Sequence, residues 1–168
     1  MNTKESINVF TKIFKKRKLH IYAPVTGEIV SLDQVPDPVF SQKMMGEGVA
    51  IMPKGGSIHS PIDGTVILLS ETKHAIGLRS NDGTEILIHI GLETVSLKGQ
   101  GFTVFVNEGE RVSIGQLLIE VDWDYIREHA SSVITPIVIT NSDEREVQYE
   151  LSKECIMGET VVITTFSK

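Results

Sequence analysis

From Ile21 onward the chain is cut into apolar runs of three to seven residues by Gly, Pro, Asp and Asn. Such runs are too short and too evenly apolar for core helices, and Val, Ile and Leu dominate them. A chain punctuated this way folds as short strands joined by tight turns. The expected strands are 21–23, 28–32, 49–53, 57–60, 64–70, 74–79, 85–90, 102–106, 117–121, 136–139, 147–151 and 160–165. Turn signals recurring this often describe an all-β protein, an antiparallel β-sandwich or barrel. One later helix is expected at 123–130, with Asp122 or Asp124 placed to cap its start.

The charge of the chain is unevenly distributed. Its net −6 hides a basic stretch, residues 1–18, with six bases against one acid, and a body, 19–168, with ten bases against twenty-one acids. The body at −11 excludes nucleic acid as the partner, because a phosphate backbone requires a basic face. It favours a basic protein partner, or simple solubility. Within the basic stretch, Ile7, Phe10 and Phe14 recur at helical spacing with Ile13 beside them. Residues 4–18 are equally a solvated tail or a basic surface helix that leans on anionic lipid as a peripheral membrane contact. Nothing in 19–168 reads as a linker, so a single domain is expected there. One cysteine, Cys155, excludes a disulfide framework and fits a reducing, cytoplasmic setting. No apolar run reaches membrane-spanning length. Aromatic residues are only 6%, so the core is left to β-branched and aliphatic side chains.

The chemistry is concentrated in Gly83-Thr84-Glu85-Ile86-Leu87-Ile88-His89-Ile90-Gly91-Leu92-Glu93-Thr94-Val95. Side chains alternate along a strand, so Ile86, Ile88 and Ile90 share a core face, and Leu87 and His89 share the other. A lone histidine on such a face is most often one satisfied within a core. A second histidine alters the balance. Asp82-Gly83 marks a tight hairpin turn, so a strand at 74–79 pairs with one at 84–89. That register sets His74 and His89 opposite each other, with Thr72, His74 and Ile76 on a common face. Two histidines can hold zinc, but the chain lacks the spacing of a third ligand. No metal or cofactor is required. Gly-x-Ser-x-Gly, a Walker loop and a dinucleotide glycine loop are all missing. His20, His59 and His129 have no comparable company.

These residues closely resemble the glucose-type IIA component of the bacterial phosphoenolpyruvate-dependent sugar phosphotransferase system. The likeness runs through Val35-Pro36-Asp37-Pro38-Val39-Phe40, Gly46-Glu47-Gly48-Val49-Ala50-Ile51, Thr72-Lys73-His74, the His89 segment, Leu97-Lys98-Gly99-Gln100-Gly101-Phe102 and Thr135-Pro136-Ile137-Val138-Ile139-Thr140-Asn141. It implies a flattened antiparallel barrel of the barrel-sandwich hybrid type, with short helical turns. It implies that His89 is phosphorylated on Nε2, that His74 hydrogen-bonds the phosphoryl group, and that Thr72 positions an imidazole. The donor implied is the phosphohistidine of the small carrier HPr. The acceptor implied is a cysteine of the IIB domain of a membrane sugar permease.

The same resemblance implies a docking surface made of Val39, Phe40, Met44, Met45, Ser70, Leu87, Gly91 and Val95, ringed by the acids Asp37, Glu93 and Asp143. Methionines suit a surface that accepts more than one partner. The chain departs from some members at Glu93, where they carry Asp, and at Ser70 and Leu87, where they carry bulkier apolar residues. The chain resembles the free-standing form of the family, with a domain of a longer permease as the alternative, and a monomer is expected. Two other readings belong to different classes. The Val106–Gly115 segment also resembles biotinyl and lipoyl carrier modules, with Lys43 as the modified residue, although Lys43 lies far upstream of it. A purely regulatory binding protein that reports sugar transport is the other.

Overall fold

The computed structural model describes residues 17–149 and 153–168. Among the described residues fourteen strands carry the fold: β1 (Lys18–Tyr22), β2 (Gly27–Ser31), β3 (Glu47–Pro53), β4 (Ile58–His59), β5 (Gly64–Leu69), β6 (Ala75–Ser80), β7 (Glu85–His89), β8 (Phe102–Val104), β9 (Arg111–Val112), β10 (Leu117–Val121), β11 (Thr135–Ile139), β12 (Arg145–Tyr149), β13 (Glu154–Cys155) and β14 (Val161–Ser167). Every strand pairing is antiparallel.

An eight-stranded sheet runs β13-β2-β3-β11-β7-β6-β5-β9, and two three-stranded sheets run β1-β14-β12 and β4-β10-β8. All three contribute to one core. Ile51, Ile76, Ile88 and Ile137 come from the large sheet, Ile21 and Ile163 from the second, and Ile58, Leu118 and Ile119 from the third. Burying each of these side chains is worth roughly 1.5–3 kcal/mol, which compensates for the shortage of aromatic rings.

The other face of the large sheet carries a smaller apolar cluster: Ala50, Ala75, Leu87 and Val138 from the strands, covered by Leu32, Val35 and Phe40. The cover comes from a 3-10 turn (Leu32–Gln34) and a four-residue helix, α1 (Pro38–Ser41). Asp37 organises the helix by accepting a hydrogen bond from Val39 N at 3.0 Å, and Pro38 occupies the first turn, where its missing N–H costs nothing.

The later helix, α2 (Trp123–His129), forms where expected, and Asp122 rather than Asp124 caps it through Tyr125 N at 3.1 Å. Two strands escaped the sequence pattern. β9 and β13 are two residues each, too short for any periodicity to appear. The basic helix expected over 4–18 lies outside the described residues except for Arg17 and Lys18. Those two run into the sheet: Lys18 pairs with Phe166, and Arg17 N donates to Ser167 Oγ. Among the described residues no helix is long and apolar enough to cross a membrane.

Candidate functional site: a histidine pair at a strand end

The hairpin of β6 and β7 builds the site. Its turn closes as Gly83 N donates to Ser80 O and Ser80 N to Thr84 O. Asn141 fastens it from β11's far end, accepting from Glu85 N and donating to Gly83 O. The register then runs Arg79↔Glu85, Gly77↔Leu87 and Ala75↔His89. Ile86, Ile88 and Ile90 point into the main core, and Leu87 joins the smaller cluster.

His89 therefore ends β7 on the second face, half-buried. Its directly paired residue is Ala75, not His74. The expected common face of Thr72, His74 and Ile76 does not form. Ile76 enters the main core, while β6 begins only at Ala75. His74 sits in the turn before β6, after Lys73, whose φ of 62° is left-handed. That backbone reversal breaks the alternation and lets His74 approach His89 from the turn. The two rings meet edge to face, with centroids 4.9 Å apart and planes at 77°. The Phe40 ring lies 5.1 Å from His89 on α1.

Each histidine has one nitrogen engaged by its own loop. His89 Nδ1 lies 2.8 Å from the carbonyl oxygen of Gly91. A carbonyl only accepts, so Nδ1 carries the proton and donates. In the neutral ring the lone pair is then on Nε2. Gly91 supplies this carbonyl from a φ of +71°, and a Cβ there would sit 2.7 Å from Thr94 Cγ2 and 2.8 Å from Ser132 O. His74 Nδ1 faces Thr72 Oγ1 at 2.7 Å and Ser70 Oγ at 3.4 Å, so Nε2 is the nitrogen it can offer to a neighbour.

Burial favours the neutral form of both rings. His74 is buried, and burial together with the nearby His89 lowers its pKa from 6.5 to about 4. Burial also lowers that of His89, opposed by the Gly91 hydrogen bond and the Asp37 charge. A neutral imidazole with a fixed tautomer is a nucleophile whose reacting nitrogen is chosen in advance.

The remaining expected site residues fall into three groups. Val39, Met44, Met45 and Val95 are exposed apolar side chains on the two segments that flank the histidines, the α1 segment and the 3-10 turn Thr94–Leu97. Phe40 and Leu87 are buried and Gly91 lies inside its loop, so they form the floor and wall of the site rather than its surface. Ser70 turns its hydroxyl inward, accepting from Ala75 N. Of the acids, Asp37 and Glu93 line one cavity of about 430 Å³ with Pro36, Pro38, Leu92 and Ser131, and the Ser131 hydroxyl donates to the Glu93 carboxylate. Asp143 lies in the turn Ser142–Glu144. Ile139, which precedes that turn, pairs with Ile86, so Asp143 sits off the sheet end remote from His89. Lys43 forms an ion pair with Glu47 at 3.1 Å. Among the described residues no three His, Cys, Asp or Glu side chains gather as a metal would need.

Two contacts of this site, at residues expected on the docking surface, escape a reading of residue type. The carbonyl of Gly91 is a backbone acceptor, signalled only by a glycine directly after an apolar strand. The Ser70 hydroxyl is signalled only by its place at the end of β5.

Comparison with known proteins gives a consistent family. The model of the family described as "phosphoenolpyruvate-dependent sugar phosphotransferase system, EIIA 1" matches residues 19–145. The chain is 49% identical over 161 residues to the "PTS system glucose-specific EIIA component" of Staphylococcus epidermidis, covering 92% of this chain and 97% of that protein. It is 51% identical over 143 residues to the "PTS system glucose-specific EIICBA component" of Staphylococcus carnosus, covering 85% of this chain but only 21% of that longer protein. Among solved structures, glucose permease IIA from Mycoplasma capricolum superposes with a TM-score of 0.83 at 39% identity, over 88% of this chain and 96% of that one. A fold, a histidine-bearing hairpin and relatives that agree over nearly the whole described chain place it in one group: the chain belongs to the EIIA 1 family of the phosphoenolpyruvate-dependent sugar phosphotransferase system.

Proposed function

We propose that this chain is a phosphoryl carrier in sugar uptake, with Nε2 of His89 as the atom that holds the phosphoryl group. The observation that carries this reading is the Nδ1–H···O bond from His89 to Gly91, which leaves Nε2 with the lone pair beside a second neutral histidine. The donor is the phosphohistidine of HPr. His89 Nε2 attacks phosphorus in line, the donor's N–P bond breaks, and its electron pair returns to the donor imidazole. Transfer of this kind passes through a loose transition state, so the protein's task is to position the groups and stabilise charge. His74 Nε2–H donates to a phosphoryl oxygen, and Thr72 holds the His74 ring through Nδ1. In the second transfer a thiolate of a IIB domain attacks phosphorus, and the electron pair of the His89 N–P bond returns to Nε2.

The match to part of a longer EIICBA component supports a IIB domain as the acceptor. The exposed Val39, Met44, Met45 and Val95 offer an apolar landing surface around the pair, and the acidic body attracts a basic donor. The relatives give the biotinyl or lipoyl carrier reading no support, nor the purely regulatory one.

The test supplies phosphoenolpyruvate, the first enzyme of the phosphotransferase chain and HPr, and follows base-stable, acid-labile phosphate on the protein. His89→Ala is expected to take up none. His74→Ala is expected to accept phosphate but fail to deliver it to a IIB domain. Labelling of His89→Ala would overturn the assignment.

A further inference from the structure

The turn that carries His74 contains a second hydroxyl. Ser70 directs each of its polar groups at this turn. Its N–H donates to Ala75 O at 3.1 Å, and its carbonyl accepts from Lys73 N at 2.9 Å. Its Oγ accepts from Ala75 N at 3.1 Å and lies 3.4 Å from His74 Nδ1. Ala75 is the residue paired with His89 across the hairpin. One side chain thus connects the strand position opposite His89 to the ring that stands beside it.

Proton bookkeeping gives this connection a direction. A hydroxyl has one proton to donate. Ala75 N–H occupies a lone pair of Ser70 Oγ, which leaves its proton for His74 Nδ1. Thr72 Oγ1, closer at 2.7 Å, directs a second hydroxyl to the same nitrogen. If Nδ1 is the bare nitrogen of the neutral ring, its one lone pair accepts from these hydroxyls and the single proton sits on Nε2. This is the tautomer that donates to an oxygen of a phosphoryl group held on His89.

We propose that Ser70 is a positioning residue for phosphoryl transfer, acting through His74 by fixing its tautomer and its angle to His89. The proposal rests on the phosphocarrier reading above. It moves Ser70 from the expected partner surface into the support of the pair. The contact to Nδ1 is long, so its effect is at most that of one neutral hydrogen bond.

The experiment compares the full chain with Ser70→Ala and Ser70→Thr, using two readouts. The first is 15N NMR of His74 in the unphosphorylated protein. The second is the rate of delivery to a IIB domain against the rate of loading from HPr. The wild-type chain is expected to show His74 protonated on Nε2. Ser70→Ala is expected to shift His74 toward a mixture of tautomers and to slow delivery roughly three- to tenfold, more than it slows loading. Ser70→Thr restores both. An Nδ1–H tautomer in the wild type overturns the proposal. So does a Ser70→Ala chain with unchanged tautomer and delivery, even one with a lowered melting temperature. A wild-type chain that accepts no phosphate overturns the phosphocarrier reading itself, and the NMR measurement still decides the role of Ser70 in holding His74.

Discussion

At the scale of single residues, the account depends on where protons sit. His74 ionises with difficulty: its pKa falls from 6.5 to about 4, chiefly through burial. The folded state therefore prefers the neutral ring. Above pH 6.5 the ring is neutral in both states and contributes no pH dependence. Between 6.5 and 4 the unfolded chain takes up the proton first, so stability falls as pH falls, by at most about 3 kcal/mol, and levels off below 4. Urea unfolding from pH 7 to pH 4 is expected to show a steeper loss for the wild type than for His74→Asn, because carboxylate titration is common to both. Parallel curves would remove the argument from burial. Gly91 provides a second test. Gly91→Ala places a Cβ against Thr94 and Ser132 at a left-handed φ, so stability is expected to drop by about 1–3 kcal/mol. Loading of His89 is expected to slow with it, because the carbonyl that selects the nucleophilic nitrogen moves. Here the sequence was informative only in part. The histidines announce themselves by type and spacing, but a backbone carbonyl has no side chain to read. The left-handed Lys73 had no glycine to betray it, so simple alternation put His74 on the wrong face.

At the scale of elements, the hairpin delivers His89 to the correct place, and the hairpin was legible. Asp82-Gly83 places the turn and the alternating isoleucines decide which side chains enter the core, but the expected register was one residue off, since His89 pairs with Ala75 and not with His74. The two-residue strands β9 and β13 were not legible, because so few residues carry no period. Helix α1 is a third case. Asp37-Pro38 is a helix-start signal, but four residues offer no apolar repeat to support it. The element account predicts that the Asn141 clamp is structural and remote from the chemistry. Asn141→Ala loses the bonds to Glu85 N and Gly83 O. It is expected to cost about 1–2 kcal/mol in denaturant unfolding while the rate of phosphate loading stays at the wild-type value. Slowed loading with unchanged stability would mean that the far turn communicates with the pair.

At the scale of the whole molecule, the division of charge acquires a purpose under the proposed function, with HPr as the proposed basic donor. The body, with its excess of eleven acids, carries the histidine pair at one end of β6 and β7, while Arg17 and Lys18 enter β1 beside the turn at the other end, lining a shared cavity with Asn81 and Asp82. An acidic body draws a basic donor over long range, and salt shortens that range to about 10 Å at 0.1 M. Loading of His89 by HPr is therefore expected to slow as ionic strength rises, with the loss in the association rate. A rate indifferent to salt would leave apolar contact through Val39, Met44, Met45 and Val95 as the sole basis of docking. The central claim is narrower than any of these and can be measured directly. It is that the Gly91 carbonyl, by holding Nδ1–H, reserves Nε2 of His89 for phosphate. A 15N and 31P NMR spectrum of the phosphorylated chain, with histidine nitrogens labelled, reads this bond. The account predicts a phosphorus coupled to Nε2 of His89 with Nδ1 still protonated; phosphate on Nδ1, or on His74, would contradict it.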